Sequence, residues 1–422
     1  MAMLKTSSFE ENLRAVVAPE NLRVATAGDT VCGALPQFVA EPDDEQQLAA
    51  ALSLANEAAI AVVPRGGATK LDWGNPPRKV QLILSTARLN RIVEHAWADL
   101  TVTVEAGCTL QSLQDALAQH GQRLAFDGLW PERASIGGVL STNDSGTLRL
   151  RFGALRDLII GVTIALPDGT LASSGGKVVK NVAGYDLPKL VTGAFGTLGV
   201  ITRAVFRLHP LPRAAKTFSF AAENSADMQQ HVLAIQDSQL AHTSLQIRCA
   251  VGELPAADIL FEATDAGLAA QESQLRKHLC STRVDQSSEN IWGVRQDLWN
   301  STSNNTLLAK ISQLPTDIAK TLDSLKAIGG TREVNWQIVL QATGIGMLRL
   351  EGDPDQLSVK VEQLRRDLQS RGGALVVLLR PHELHSIDAW GNVGDGVPLM
   401  RAVKHQLDPK STLNPGRFVG GI

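Results

Sequence analysis

Four glycine-rich loops constrain this chain more than any other feature. They are Arg65-Gly66-Gly67-Ala68-Thr69, Ser135-Ile136-Gly137-Gly138, Ser173-Ser174-Gly175-Gly176-Lys177 and the run Gly193-Ala194-Phe195-Gly196-Thr197-Leu198-Gly199. Glycine lets backbone N–H groups approach an anion, and it permits the positive φ values that aim successive N–H groups at one point. Any one of these loops reads most simply as a turn between strands. Four within one stretch, two of them followed by Ser or Thr hydroxyls, could wrap a pyrophosphate. None fits the dinucleotide fingerprint G-x-G-x-x-G, because the last is G-x-x-G-x-x-G, and none fits the phosphate loop G-x-x-x-x-G-K-[ST]. Rossmann and Walker folds are thereby set aside.

The surroundings of the loops are mixed α and β. FVAEP from Phe38, DDEQQLAAALSLANEAA and IAVVPRGG form a strand–helix–strand unit, with Leu48, Leu52 and Ala55 on one helical face and the first glycine pair where the last strand ends. LTVTVEAG alternates as a half-buried strand, and Leu110, Leu113 and Leu117 follow at helical spacing, with Gly121 placed to stop the helix. SIGGVLSTNDSG is too polar and glycine-rich for core filler. LIIGVTIAL is a buried strand ending in the turn signal Pro167-Asp168-Gly169. After His209-Pro210-Leu211-Pro212-Arg213 the glycine loops thin out, as at a domain boundary. Beyond it LRLEG, DPDQLSVKVEQLRRDLQSRGG and ALVVLL repeat strand–helix–strand, with Asp353 as the helix cap. A weaker unit starts at AKISQLPTDIAKTLDSLKAIGG, so the second domain is expected to be α+β with a largely antiparallel sheet.

Length and composition narrow the function. A chain of 422 residues calls for two or three folding units. Its net charge of −3 and 4% aromatic content lack the basic surface and stacking platforms of a nucleic-acid binder. LIIGVTIAL falls well short of the roughly 20 residues that cross a bilayer, and MAMLKTSSFEENLR has no apolar signal segment, so a cytoplasmic location is expected. Cys32, Cys108, Cys249 and Cys280 are scattered, without metal spacing, and read as buried thiols in a reducing compartment; no iron–sulfur ligand set is evident and no metal is expected.

PRGGATK, VEAGCTLQSLQDAL, SIGGVLSTNDSG, LPDGT and AFGTLGVIT, in this order, resemble the FAD-binding domain of the vanillyl-alcohol oxidase and p-cresol methylhydroxylase type, over roughly Phe38 to Pro212. KVVKNVAGYDLPKLVTGAFGTLGVIT and the terminal LDPKSTLNPGRF narrow the resemblance to the smaller, E-type FAD-binding subunits of bacterial glycolate oxidases. The resemblance implies an N-terminal segment over 1–30, an FAD-binding domain of two α+β subdomains over 31–212, an α+β cap domain over 213–395 and a C-terminal segment over 396–422 that returns to the FAD domain. It implies that Arg65, Gly66, Gly67, Ala68 and Thr69 meet the FAD pyrophosphate, with Arg65 adding positive potential. Pro131, Ser135, Gly137, Gly138, Ser141 and Asn143 would line the flavin and its ribityl chain. Gly196, Gly199, Val200 and Ile201 would complete the site near the adenine end, with Asn414 and Arg417 closing it alongside Pro415 and Gly416. Relatives that hold FAD covalently have a histidine beside the first glycine pair; Ala68, Thr69 and Lys70 stand here, so noncovalent FAD is expected.

The histidine-rich substrate site of hydroxy-acid-oxidising relatives is incomplete. GNVGDGVPLM, Gly391 to Met400, keeps the Gly394-Asp395-Gly396 core without flanking histidines. Catalysis by this chain would need a cation for a carboxylate and a base for a hydroxyl proton. The candidates are Arg295 between Trp292 and Trp299, Arg380, and His382 with His385. The only tyrosine, Tyr185, with Lys177, Lys180 and Asn181, marks either catalysis, packing or a subunit interface. Three functions follow: an FAD-binding subunit of a glycolate oxidase complex, with a larger flavin subunit and an iron–sulfur subunit as partners and membrane association only through that complex; a self-sufficient FAD oxidoreductase for a D-lactate-like hydroxy acid or an alditol; or a non-catalytic scaffold stabilised by FAD.

Overall fold

A computed structural model describes residues 2–176, 184–280, 282–300, 302–329 and 334–422. Its contacts separate two compact units: Met1–Ser145 with Gly153–Leu211 and Asn392–Ile422, and Gly146–Phe152 with Pro212–Gly391. The short run 146–152 goes with the second unit, whereas the sequence placed it inside the FAD domain.

Among its described residues the first unit holds two small sheets and a two-stranded ribbon that pairs Gln122–Arg123 with His209–Pro210. In one, Leu22–Val24, Phe38–Ala40, Leu82–Ser85 and Val62–Arg65 lie in that order, the first pair antiparallel and the others parallel. The helix Glu45–Glu57 makes the crossover, capped by Asp44, whose carboxylate accepts from the Gln47 N–H. Leu48, Ala51, Leu52 and Ala55 are fully buried on its inner face; a leucine so placed contributes about 1.5–3 kcal/mol. The expected strand–helix–strand unit is thus present, and the first glycine pair follows its last strand directly.

The second sheet is antiparallel throughout, in the order Ile92–Ala96, Thr101–Glu105, Val200–Arg207, Ile159–Ala165, Leu171–Gly175. Against it packs the helix Leu110–Ala118, through Leu110, Leu113 and Leu117. The polar-looking SIGGVLSTN segment is also helical over Ile136–Thr142. Ser135 caps it by accepting the Gly138 N–H at 3.3 Å, while Ile136, Val139 and Leu140 enter the core. Only one face is polar, and glycine on that face disguised the apolar period.

The second unit is one eight-stranded antiparallel sheet, in the order Val284–Ser287, Ala214–Ala221, Ala256–Ala263, His242–Ala250, Val334–Gln341, Ile345–Gly352, Thr306–Ser312, Ala374–Leu379. The helices Ser225–Gln236, Asp265–His278, Ile318–Gly329 and Pro354–Ser370 pack apolar side chains such as Val232, Leu268, Leu322 and Leu364 against one face. Period-two alternation sends Gln246, Arg248, Asp258, Lys310 and Arg349 to the other. Asp258 is fully buried there and holds Ser219 Oγ at 2.6 Å and Gln246 Nε2 at 3.0 Å, with Arg248 Nε at 3.1 Å. Among the described residues no helix is long and apolar enough to cross a membrane.

Candidate functional site

Three of the four glycine loops meet in one cleft of the first unit. Arg65, Gly66, Gly67, Ala68 and Thr69 form one wall and Ser135, Gly137, Gly138 and Ser141 another. Gly196, Gly199, Val200 and Ile201 supply a third, and Asn414 and Arg417 close it. Pro131 and Asn143 stand outside the lining: the Pro131 carbonyl accepts from Gln111 N at 2.8 Å, and Asn143, at φ 46°, ends the Ile136–Thr142 helix. Lys70, Thr86 and Phe195 line the cleft without having been singled out. Thr86, sixteen residues beyond the end of PRGGATK, carries no sequence signal for this.

The first wall owes its shape to close backbone approach. A Cβ on Gly66 would lie 1.9 Å from Ser135 Oγ, and one on Gly67 would lie 1.7 Å from the Arg133 carbonyl oxygen. The Gly67 N–H donates to Ser135 Oγ at 3.2 Å, and Ala68 adopts the left-handed φ of 58°. Among the described residues, no acceptor engages the N–H groups of Gly66, Ala68 and Thr69. Successive backbone amides left without acceptors in αL-containing backbone suit an anion. These residues therefore fit a pyrophosphate.

Arg65 does not play the part expected of it. Its guanidinium donates to Asp29 Oδ1 at 2.6 Å and stands 3.5 Å from Glu41 Oε1. Asp29 also takes a two-pronged contact from Arg23, 2.7 Å to each oxygen, and the Thr26 N–H at 2.8 Å. Hydrogen bonding from Arg23 first, then from Thr26 and Arg65, holds its carboxyl far below the usual range. Arg65 is thus matched by carboxylates and braces the strand end, and the cradle's attraction comes from its amides.

The cleft is closed by a strap from residues 404–417. Val62 N donates to Thr412 O at 2.8 Å and Asn414 N to Val62 O at 2.9 Å, so Leu413 pairs in parallel with Val62. Asn414 Nδ2 reaches Phe195 O at 2.6 Å. Arg417 is buried with its guanidinium 5.3 Å from the Phe195 ring centroid, and it donates to the carbonyls of Leu71 and Trp73. Burial pushes its pKa down. Beneath lies a buried ion pair: Lys404 Nζ contacts Asp408 Oδ2 at 2.6 Å, Thr197 O at 2.8 Å and Leu413 O at 2.9 Å. Asp408 in turn accepts the N–H groups of Thr412 and Leu413. One ammonium thereby joins the AFGTLG loop to the strap, and burial lowers its pKa.

The fourth glycine loop belongs elsewhere. Gly175, at φ 80°, ends a hairpin strand opposite Gly161, and a Cβ on it would lie 2.1 Å from Ile160 O. This pair ends the strand at the open end of the hairpin, away from the Leu166–Thr170 turn. Tyr185 is 91% exposed, so its ring is packed against none of the described residues, and its carbonyl accepts the Ser174 hydroxyl at 2.6 Å. Lys177, Lys180 and Asn181 lie outside the described residues.

In the second unit Arg295 is buried on the short helix Val294–Asp297, held to the sheet by Trp292 Nε1 on Thr217 Oγ1 at 3.0 Å and Trp299 Nε1 on Met347 Sδ at 2.9 Å. Arg380 is buried just after the strand Ala374–Leu379. His382 is exposed on a tight turn with its ring 4.7 Å from that of His385. Of the cysteines, Cys108 and Cys249 are buried, burial raising the first to about 11, but Cys32 is half-buried and Cys280 exposed.

Residues 36–175 match the family described as FAD binding domain. The glycolate oxidase subunit GlcD of Bacillus subtilis is 32% identical over 249 residues, 57% of this chain and 53% of that one, so the chain spans about half of that relative. The D-2-hydroxyglutarate dehydrogenase of Xanthomonas citri pv. viticola is 27% identical over 430 residues, 91% of this chain and 89% of that one. The crystal structure of p-cresol methylhydroxylase with substrate bound superimposes with a TM-score of 0.78 over 98% of this chain and 96% of that one, at 14% identity.

Proposed function

Because the chain carries an FAD-binding domain and has the fold of p-cresol methylhydroxylase, we propose that it is the FAD-binding subunit of a glycolate-oxidising complex, passing electrons from its flavin toward an iron–sulfur partner. The observation that carries this reading is the convergence of the unpartnered Gly66, Ala68 and Thr69 amides with the strap in one cleft. The amides would hold the pyrophosphate; Ser135, Gly137, Gly138 and Ser141 would run along the ribityl chain and flavin; Val200 and Ile201 would bound the adenine end. Ala68 and Thr69 offer no nucleophile for a covalent tether, so affinity rests on the cradle and the strap. When bound, FAD supplies a hydride acceptor at N5. A substrate carboxylate suits the planar fork of a buried arginine, Arg295 or Arg380. Exposed His382 is poorly shielded for proton abstraction, which leaves base catalysis as the weakest part of a self-sufficient enzyme.

A second reading, a complete FAD-dependent 2-hydroxy-acid dehydrogenase, is favoured by the D-2-hydroxyglutarate dehydrogenase relative, which aligns across both units. Anaerobic addition of glycolate and of D-lactate to the purified chain, alone and with the candidate partner subunits, separates the two. Bleaching of the flavin only in the presence of partners supports the relay; rapid bleaching of the isolated chain supports the complete dehydrogenase. A flavin that is bound but never reduced leaves a scaffold. Failure to take up FAD sinks all three.

A further inference from the structure

Behind the cradle lies a second buried ion pair. Lys70 Nζ stands 3.6 Å from Asp144 Oδ2, and both side chains are at least 96% buried. The ammonium also sits 5.6 Å from the ring centroid of Trp73 and 5.3 Å from that of Trp130. Asp144 is fixed by the N–H groups of Leu129 and Ser145, each at 2.9 Å. Trp130, at a left-handed φ of 53°, starts the turn that presents Ser135, its carbonyl accepting from Arg133 and Ala134. Lys70 therefore follows the cradle immediately, lines the same cleft, and grips both ends of segment 130–144, whose Ser135 to Ser141 portion forms the facing wall.

An ion pair in this position has no need to be charged for packing, since apolar side chains of similar volume are commonly as stable. Its charges act at short range in a medium of low dielectric constant, beside a cofactor whose ring changes charge during turnover. Two electrons and one proton added to a neutral ring leave one net negative charge. A cation nearby favours that product and an anion opposes it. We propose that the Lys70–Asp144 pair sets the reduction potential of the bound flavin, with Lys70 raising it and Asp144 restraining it. The proposal rests on the reading above, in which segment 135–141 runs beside the flavin.

The test is spectroelectrochemical titration of FAD-loaded wild type, Lys70→Gln, Lys70→Arg and Asp144→Asn. Lys70→Gln is expected to move the potential negative and Asp144→Asn positive, each by a tenfold or larger change in the reduction equilibrium, about 30 mV for a two-electron couple. Lys70→Arg is expected to return toward wild type, and it decides the sign if Asp144→Asn does not fold. Shifts of one sign in both neutral variants, or none in either, overturn the inference while leaving FAD binding intact. Absence of a flavin spectrum in the wild type instead overturns the underlying reading.

Discussion

Gly66-Gly67 and Gly175-Gly176 are the same dipeptide behind similar strands, yet one lines a cleft and the other ends a strand at the open end of a hairpin. Close approach requires both glycines of the first pair, against the Arg133–Ser135 turn, and Gly175 of the second, against Ile160. What differs is the other side of the loop. Past Gly67, Ala68 and Thr69 line a cleft, and their amides have no acceptor among the described residues. Past Gly175 the Gly176 N–H is satisfied by Ile160 O at 3.0 Å. A glycine pair signals crowding; only unspent donors signal a ligand.

That contrast can be broken experimentally. Gly67→Ala drives a methyl into the Arg133 carbonyl, and FAD affinity is expected to fall by about 100-fold or more, close to 3 kcal/mol, in a flavin titration of folded protein; unchanged affinity would show that the cradle is not the anion site. Asp408→Asn leaves Lys404 buried without its counter-ion, for which about 3 kcal/mol of stability is expected to go, together with weaker FAD binding. If the variant denatures earlier in urea yet holds FAD as tightly as wild type, the strap is a fastener with no bearing on the cleft.

Asp29→Asn breaks the carboxylate hub behind Arg65, with about 2 kcal/mol expected to be lost at neutral pH. The sign follows from the depressed folded-state pKa of Asp29: its contribution is present above the unfolded carboxylate value and fades as pH falls through that value toward the lower folded one. The gap between wild type and Asp29→Asn in thermal scans should therefore narrow below about pH 4. A gap constant with pH would mean that the hub acts by packing alone. The smallest effects belong to the hairpin. Gly175→Ala is expected to lower the melting temperature with FAD affinity intact within about twofold. Gly176→Ala, with nothing within 4 Å of its Cβ and a φ of 150°, should cost only about 1 kcal/mol in strain.

Much of this was legible in the residues. The α+β class, the strand–helix–strand opening and the antiparallel second sheet follow from apolar periods and caps such as Asp44 and Asp353. The cleft-lining loops were legible through glycine spacing and family order. Three things were not. The Ile136–Thr142 helix was hidden because the glycines and hydroxyls of its other face mask the apolar period of Ile136, Val139 and Leu140. The commitment of Arg65 to Asp29 depends on a partner 36 residues away, with no local pattern to announce it. Lys404 and Asp408 look like surface charges on an amphipathic helix, and only the return of the chain over Thr197 buries them.

That return also bears on biosynthesis. Thr412 Oγ1 meets Asn56 Oδ1 at 2.8 Å across 356 residues of chain, beside the Leu413–Val62 pairing. At ribosomal rates of about 5–20 residues per second, strand Val62–Arg65 waits roughly 20–70 s for its last neighbour. The glycine turn beyond it is made early and finished late, so FAD loading would report that translation has passed Asn414.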